Sequence, residues 1–204
     1  MSEYNHQKLA EDVREALKGL GANFQSRYTG SNWAPDFVAK ANDGTIFVIE
    51  IKDREIAAPD VFAVASTTSS GSLVGKAAFG AIISNKPTYR SIAEVANENN
   101  VILLTIDRPD ELSPKLKFLE QIARIETILR QMSDASLETL VPEMVRNLVA
   151  SGKLDSSLGT EVDRLWTLRN KLAHYTEHDE EFDQTWNDQA EVALIELKKR
   201  SWQS

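Results

Sequence analysis

The spacing of hydrophobic positions changes character about halfway along the chain. In the first segment Leu9, Val13, Ala16, Leu17 and Leu20 recur at helical intervals, which predicts an amphipathic helix, and Gly21 offers a left-handed stop after it. Two strand-like runs follow at 34–41 and 45–52, separated by the turn formers Asn42, Asp43 and Gly44, so the pair reads as a β-hairpin. Residues 56–79 are rich in Ala, Ser, Thr and Gly and show no clean period. The apolar run 81–84, a helical stretch at 89–100 and the apolar run 101–106 then give a strand, helix, strand order that fits a parallel crossover.

From Arg108-Pro109-Asp110 onward nothing reads as a strand. Ser113-Pro114 is a favourable N-cap and first-turn pair, and Leu116, Leu119, Ile122, Ala123, Leu129 and Met132 follow at helical spacing. A second helix is expected through 137–150, broken or kinked at Pro142 and ended before Gly152. A third is expected over about 158–175 and a fourth over about 181–199. Short loops between four helices predict an antiparallel bundle. The expected organisation is therefore an α/β domain at 1–112 and an all-helical domain at 113–204.

Composition narrows the chemistry. Among 204 residues there is no cysteine, which excludes disulfides, thiolate metal sites and cysteine nucleophiles, and His6, His174 and His178 are too few for a histidine-rich metal site. With 23 Lys and Arg against 31 Asp and Glu the net charge is −8, shared equally between 1–112 and 113–204, so the chain does not coat nucleic acid through bulk positive charge. A nuclease remains compatible with that balance. The polar start and the shortness of every apolar run predict no secretory signal, no membrane span and a cytoplasmic location.

Candidate chemistry sits first on the hairpin. Glu50 and Lys52 are two apart on one strand and share a face, with Ile49 and Ile51 on the other. A charged pair inside an apolar run is costly unless it is paired or binds something. Pro35-Asp36 opens the neighbouring strand. A two-residue loop at Asp43-Gly44 would set Asp36 opposite Ile51, its carboxylate facing away from Glu50. A three-residue loop, Asn42-Asp43-Gly44, pairs residue 41 with 45 and sets Asp36 opposite Glu50, with Gly44 supplying the left-handed residue that loop requires.

Pro35-Asp36, thirteen intervening residues and Glu50-Ile51-Lys52 resemble the PD-(D/E)xK signature of restriction-endonuclease-like nucleases, and the element order over 1–112 is similar to the Mrr-like branch. The resemblance implies that Asp36 and Glu50 bind Mg²⁺ or Mn²⁺, that the Ile51 carbonyl completes the site, and that Lys52 orients or deprotonates the attacking water. It also implies an acidic residue from the first helix, for which Asp12 is the better placed. The glutamine that many Mrr-like members carry on the helix after the lysine is missing between 53 and 80. Without the resemblance, Glu50–Lys52 reads as a same-face salt bridge and Pro-Asp as a strand opener.

A second constellation lies on the third helix of the second half. Val162, Leu165, Trp166, Leu168, Leu172 and Ala173 form an apolar arc that also contains Arg169, and an arginine there requires a partner, a phosphate or a subunit interface. Asn170 and His174 are four apart and share a face beside the arc. Arg169-Asn170-x-x-x-His174 resembles the R-x(4–6)-H motif of HEPN domains. That resemblance implies a four-helix HEPN-like bundle, a homodimer through the helical domain, and metal-independent RNA cleavage with histidine as acid/base and arginine on the phosphate. The structural alternative pairs Arg169 with an acid such as Glu143 and leaves His174 at the surface near a helix end.

The expected protein is thus an α/β restriction-endonuclease-like domain plus an all-α HEPN-like bundle. Its expected activity is metal-dependent hydrolysis of phosphodiester bonds in DNA, with Asp36, Glu50, Lys52, Arg169, Asn170 and His174 as site residues and RNA as a further partner, in a setting such as bacterial defence. Two other functions fit the same residues: a non-catalytic scaffold built from degenerate folds, and a metal-independent ribonuclease.

Overall fold

The computed structural model describes residues 6–20, 23–24, 35–40, 46–69, 78–106, 109–136, 139–174 and 182–201. The chain divides into two compact units, Met1–Leu116 with Leu172–Glu180, and Lys117–Lys171 with Glu181–Ser204.

The first unit is α/β. It contains α1 (His6–Gly19), β1 (Asn23–Phe24), β2 (Phe37–Lys40), β3 (Ile46–Lys52), α2 (Ala58–Thr68), β4 (Ala78–Ser84), α3 (Arg90–Glu98) and β5 (Val101–Thr105). The strands lie in sequence order in one mixed sheet, β1, β2 and β3 antiparallel and β3, β4 and β5 parallel. The expected hairpin and the strand, helix, strand crossover are both present. The turn itself, residues 41–45, lies outside the described residues, but the ladder on either side of it pairs Lys40 with Ile46 and Phe37 with Ile49. Continued one step beyond β2, that register sets Asp36 opposite Glu50, as the three-residue turn requires.

β3 is buried along nearly its whole length because helices cover both faces of the sheet. Ile46 and Val48 face a core completed by Val61 and Val64 of α2, Ile82 of β4, Ala93 and Ala96 of α3, and Val101 and Leu103 of β5. Glu50 and Lys52 continue that face toward its open end. The stretch 56–79, which showed no period, contains α2. Its inward side is made by Val61, Val64 and Thr67 at three-residue spacing, too short and too rich in small residues to register as a stripe. A Cβ added at Gly80 of β4 would overlap Val64 Cγ1 and come within 3.2 Å of Thr68 Cγ2, so glycine is what lets α2 approach the sheet.

The remaining helices are α4 (Pro109–Ser133), α5 (Val141–Ala150), α6 (Ser156–His174) and α7 (Thr185–Ser201). Two prolines act differently from expectation. Pro114 does not start α4 but lies inside it; the helix begins at Pro109, where the missing N–H costs nothing, and Asp110 and Glu111 occupy the favourable first turn. A 3.0 Å ion pair from Lys115 to Glu111 spans the turn that Pro114 weakens. Pro142 breaks no helix either, since α5 starts at Val141 and places the proline in its first turn. The compact units part at 116/117, within α4.

Within the second unit, α5 and α6 approach closely at Gly159, whose Cβ would meet Val145 and Val149. Phe118, Phe182 and Trp186 form an aromatic cluster with centroids 5.3–6.0 Å apart. Gln121 of α4 donates to Glu191 of α7 at 2.8 Å. Among the described residues no helix is long and apolar enough to cross a membrane.

Candidate active site

The register of β2 on β3 brings together the three residues singled out on the hairpin. The Asp36 N–H donates to Glu50 Oε2 at 3.4 Å, Asp36 Oδ2 accepts the Ile51 N–H at 2.8 Å, and Lys52 Nζ donates to Glu50 Oε1 at 2.5 Å. On the other flank of β3, Ile82 and Ser84 of β4 stand opposite Glu50 and Lys52. Glu50 is only 6% exposed. Burial pushes its carboxyl above the ordinary range, and the negative charge of Asp36 adds to this against the opposing Lys52 hydrogen bond. Lys52 therefore has a structural role besides any chemical one, because it neutralises a carboxylate held out of water.

Two further elements reach this cluster, of which α2 showed no period in the sequence. Asp60, in the first turn of α2, places Oδ1 3.5 Å from Lys52 Nζ. It is itself held by Arg54, Nη1 to Oδ2 at 2.9 Å and Nη2 to Oδ1 at 2.7 Å, and by the Ala57 N–H at 2.9 Å. Burial opposes its ionisation, yet the Arg54 and Ala57 hydrogen bonds and the nearby cations outweigh burial and hold its carboxyl below the ordinary range. The helix after the lysine thus contributes an acid where a glutamine was looked for. The only signal was Asp60 three residues after Ala57 at the start of a helix that itself escaped notice.

From α1, His6 reaches the site, with Nε2 3.8 Å from Asp36 Oδ2. Asp12, favoured as a first-helix acid, accepts from Lys8 at 2.9 Å. Among the described residues no group of three or more His, Asp or Glu side chains gathers at metal-holding geometry.

The donor set nevertheless fits a small hard cation. Mg²⁺ is commonly held by one or two carboxylates and keeps water or substrate oxygens for its other positions. Asp36 and Glu50 supply two, each with acceptor capacity beyond its present hydrogen bonds.

The residues of the second constellation, Arg169, Asn170 and His174, all lie on α6, His174 as its last residue; the His174 side chain lies outside the described residues. Arg169 is 5% exposed. Its guanidinium lies 5.0 Å from the Trp166 ring centroid and donates to Asn170 Oδ1 at 3.0 Å. Burial pulls its pKa down to about 10, with Glu126 opposing, so it stays charged at neutral pH. Glu126 of α4 is an acid whose charge acts on it, and Glu143 is exposed on α5.

Compared with known proteins, the chain matches no family model, no curated protein and no solved structure.

Proposed function

We infer that the first unit is a metal-dependent endonuclease acting on DNA, built on a restriction-endonuclease-like plan, and that the helical unit is a HEPN-like module for dimerisation or RNA contact. One observation carries the reading: the β2–β3 register gathers Asp36, Glu50 and Lys52 at one end of the sheet, with one hydrogen bond from Asp36 to Glu50 and one from Lys52 to Glu50. Glu50 and Asp36 would hold the ion, which when bound polarises the phosphodiester. Lys52 would orient the attacking water, whose oxygen bonds to phosphorus as one P–O ester bond breaks; the water's proton passes to solvent and the leaving oxygen takes one from it.

The test incubates labelled DNA with wild type and Lys52→Ala, with Mg²⁺ or with EDTA, after circular dichroism has shown both chains folded. Cleavage is expected from wild type with metal and from neither chain in EDTA. Cleavage by Lys52→Ala at the wild-type rate would remove the site from the chemistry.

A second reading, a non-catalytic binding protein, is favoured by the way Lys52 already satisfies Glu50 internally. Mn²⁺ titration separates the two, since a scaffold has no reason to retain affinity for the ion at Asp36 and Glu50.

A further inference from the structure

Lys52 stands between two acids that come from different elements. Its Nζ is 2.5 Å from Glu50 Oε1 on β3 and 3.5 Å from Asp60 Oδ1 on α2, and its side chain is only 16% exposed. The cluster holds three carboxylates, Asp36, Glu50 and Asp60, against the two cations Lys52 and Arg54. Asp60 is immobilised independently of the lysine by Arg54 and the Ala57 N–H, so its oxygens keep their place if the ammonium moves. An ammonium in contact with Glu50 competes with any divalent cation for the same oxygens, and two like charges at such separations in a shielded site repel strongly. The lysine must therefore yield, and the acid within reach is Asp60.

We propose that Asp60 is the second seat of Lys52: the ammonium is the counter-ion of Glu50 in the metal-free chain and is received by Asp60 when a divalent cation occupies Asp36 and Glu50. The inference rests on the metal-site reading of those two carboxylates. Asp60 is on this account a positioning residue, acting on the ion and the water only through Lys52. The metal-free site is thereby spared an uncompensated buried Glu50.

The test is a double-mutant cycle on Mn²⁺ affinity, measured calorimetrically at about pH 8 with the full chain as wild type, Lys52→Met, Asp60→Asn and the double variant. Removing the competing ammonium should tighten Mn²⁺ binding about tenfold, and removing the second seat should weaken it about tenfold. In the Lys52→Met background Asp60→Asn should change affinity by less than about twofold, because no lysine remains to be seated. If Asp60→Asn weakens binding by the same factor in both backgrounds, Asp60 acts only through its long-range field and the proposal is overturned. If none of the four chains binds Mn²⁺, the metal-site reading falls and this inference with it.

Asparagine keeps an oxygen for the Ala57 N–H, and a measurement on wild type needs no variant at all. The hydrogen-bond correlation of the Lys52 ammonium, observed by NMR, should pass from the Glu50 carboxylate to that of Asp60 on saturation with Mg²⁺. A correlation that stays on Glu50 would overturn the proposal.

Discussion

The Asp36 carboxylate accepts the Ile51 amide proton at 2.8 Å, one step beyond the last residue pair of the β2–β3 ladder. Ile51 is fully buried, so this carboxylate oxygen satisfies a backbone donor that has no access to water, while the second oxygen remains for other partners. The double duty predicts a split between two substitutions. Asp36→Asn keeps an acceptor for Ile51 and should retain wild-type stability while losing divalent-cation affinity. Asp36→Ala leaves the N–H orphaned and should cost about 1–3 kcal/mol as well. Urea unfolding and Mn²⁺ titration of the two variants check it; equal stability would mean that the bond to Ile51 contributes nothing.

Burial raises the Glu50 carboxyl, which fixes the sign of a pH effect. The folded chain holds that proton more tightly than the unfolded chain does. The Glu50 contribution is therefore favourable below the ordinary glutamate range and is lost as pH rises through the folded value. Glu50→Gln should consequently gain stability relative to wild type between about pH 4 and pH 8, whatever constant offset the altered Lys52 contact adds. Paired denaturant curves at the two ends of that range read the difference. A difference that does not grow with pH would show Glu50 to titrate as an exposed carboxyl.

Gly80 predicts a packing effect remote from the charges. Its added Cβ would overlap Val64, so Gly80→Ala should destabilise the α/β unit by about 1–3 kcal/mol, and Val64→Ala in the same chain should recover most of that loss. Non-additivity of the pair in thermal or urea unfolding is the expected result. Full additivity would place Val64 out of reach of Gly80.

How much of this was legible in the sequence depended on whether the signal was local. The hairpin followed from alternation; its register stood between two loop lengths, and the observed ladder is the one the three-residue loop requires, with Asp36 opposite Glu50. α2 was not legible, because the two valines and the threonine that face the sheet lie among alanines and serines, and it is the neighbour Gly80, distant in sequence, that makes so thin a helix pack. With α2 unseen, Asp60 had no address. The pair Ser113-Pro114 has the local signature of a helix start, but Pro109, followed by Asp110 and Glu111, has the same kind of signature one turn earlier, and α4 begins there. The partner of Arg169 was a question of which helix faces α6, which periodicity on a single helix does not answer.

That partner makes the last prediction a separation of structure from chemistry on α6. Glu126, a carboxylate held by Arg130 at 2.5 Å, favours the charged form of Arg169 inside the helical unit. Replacing Arg169 with methionine removes a buried cation and its hydrogen bond to Asn170, and the expected cost is about 1–3 kcal/mol. Arg169→Lys should recover charge but not the planar contact with Trp166 or the geometry toward Asn170, and should fall between. His174 ends α6, so His174→Ala should leave the unfolding midpoint unchanged. If the HEPN-like reading extends to chemistry, wild type cuts RNA in EDTA, His174→Ala does not, and Lys52→Ala still does, because no metal is needed at an arginine–histidine site. Sedimentation at micromolar concentration should then show a dimer, since the implied site is shared between two copies. RNA left intact by wild type in EDTA, together with the predicted loss of stability in Arg169→Met, would assign Arg169 wholly to the interior of the helical unit and leave DNA cleavage as the only chemistry to be sought.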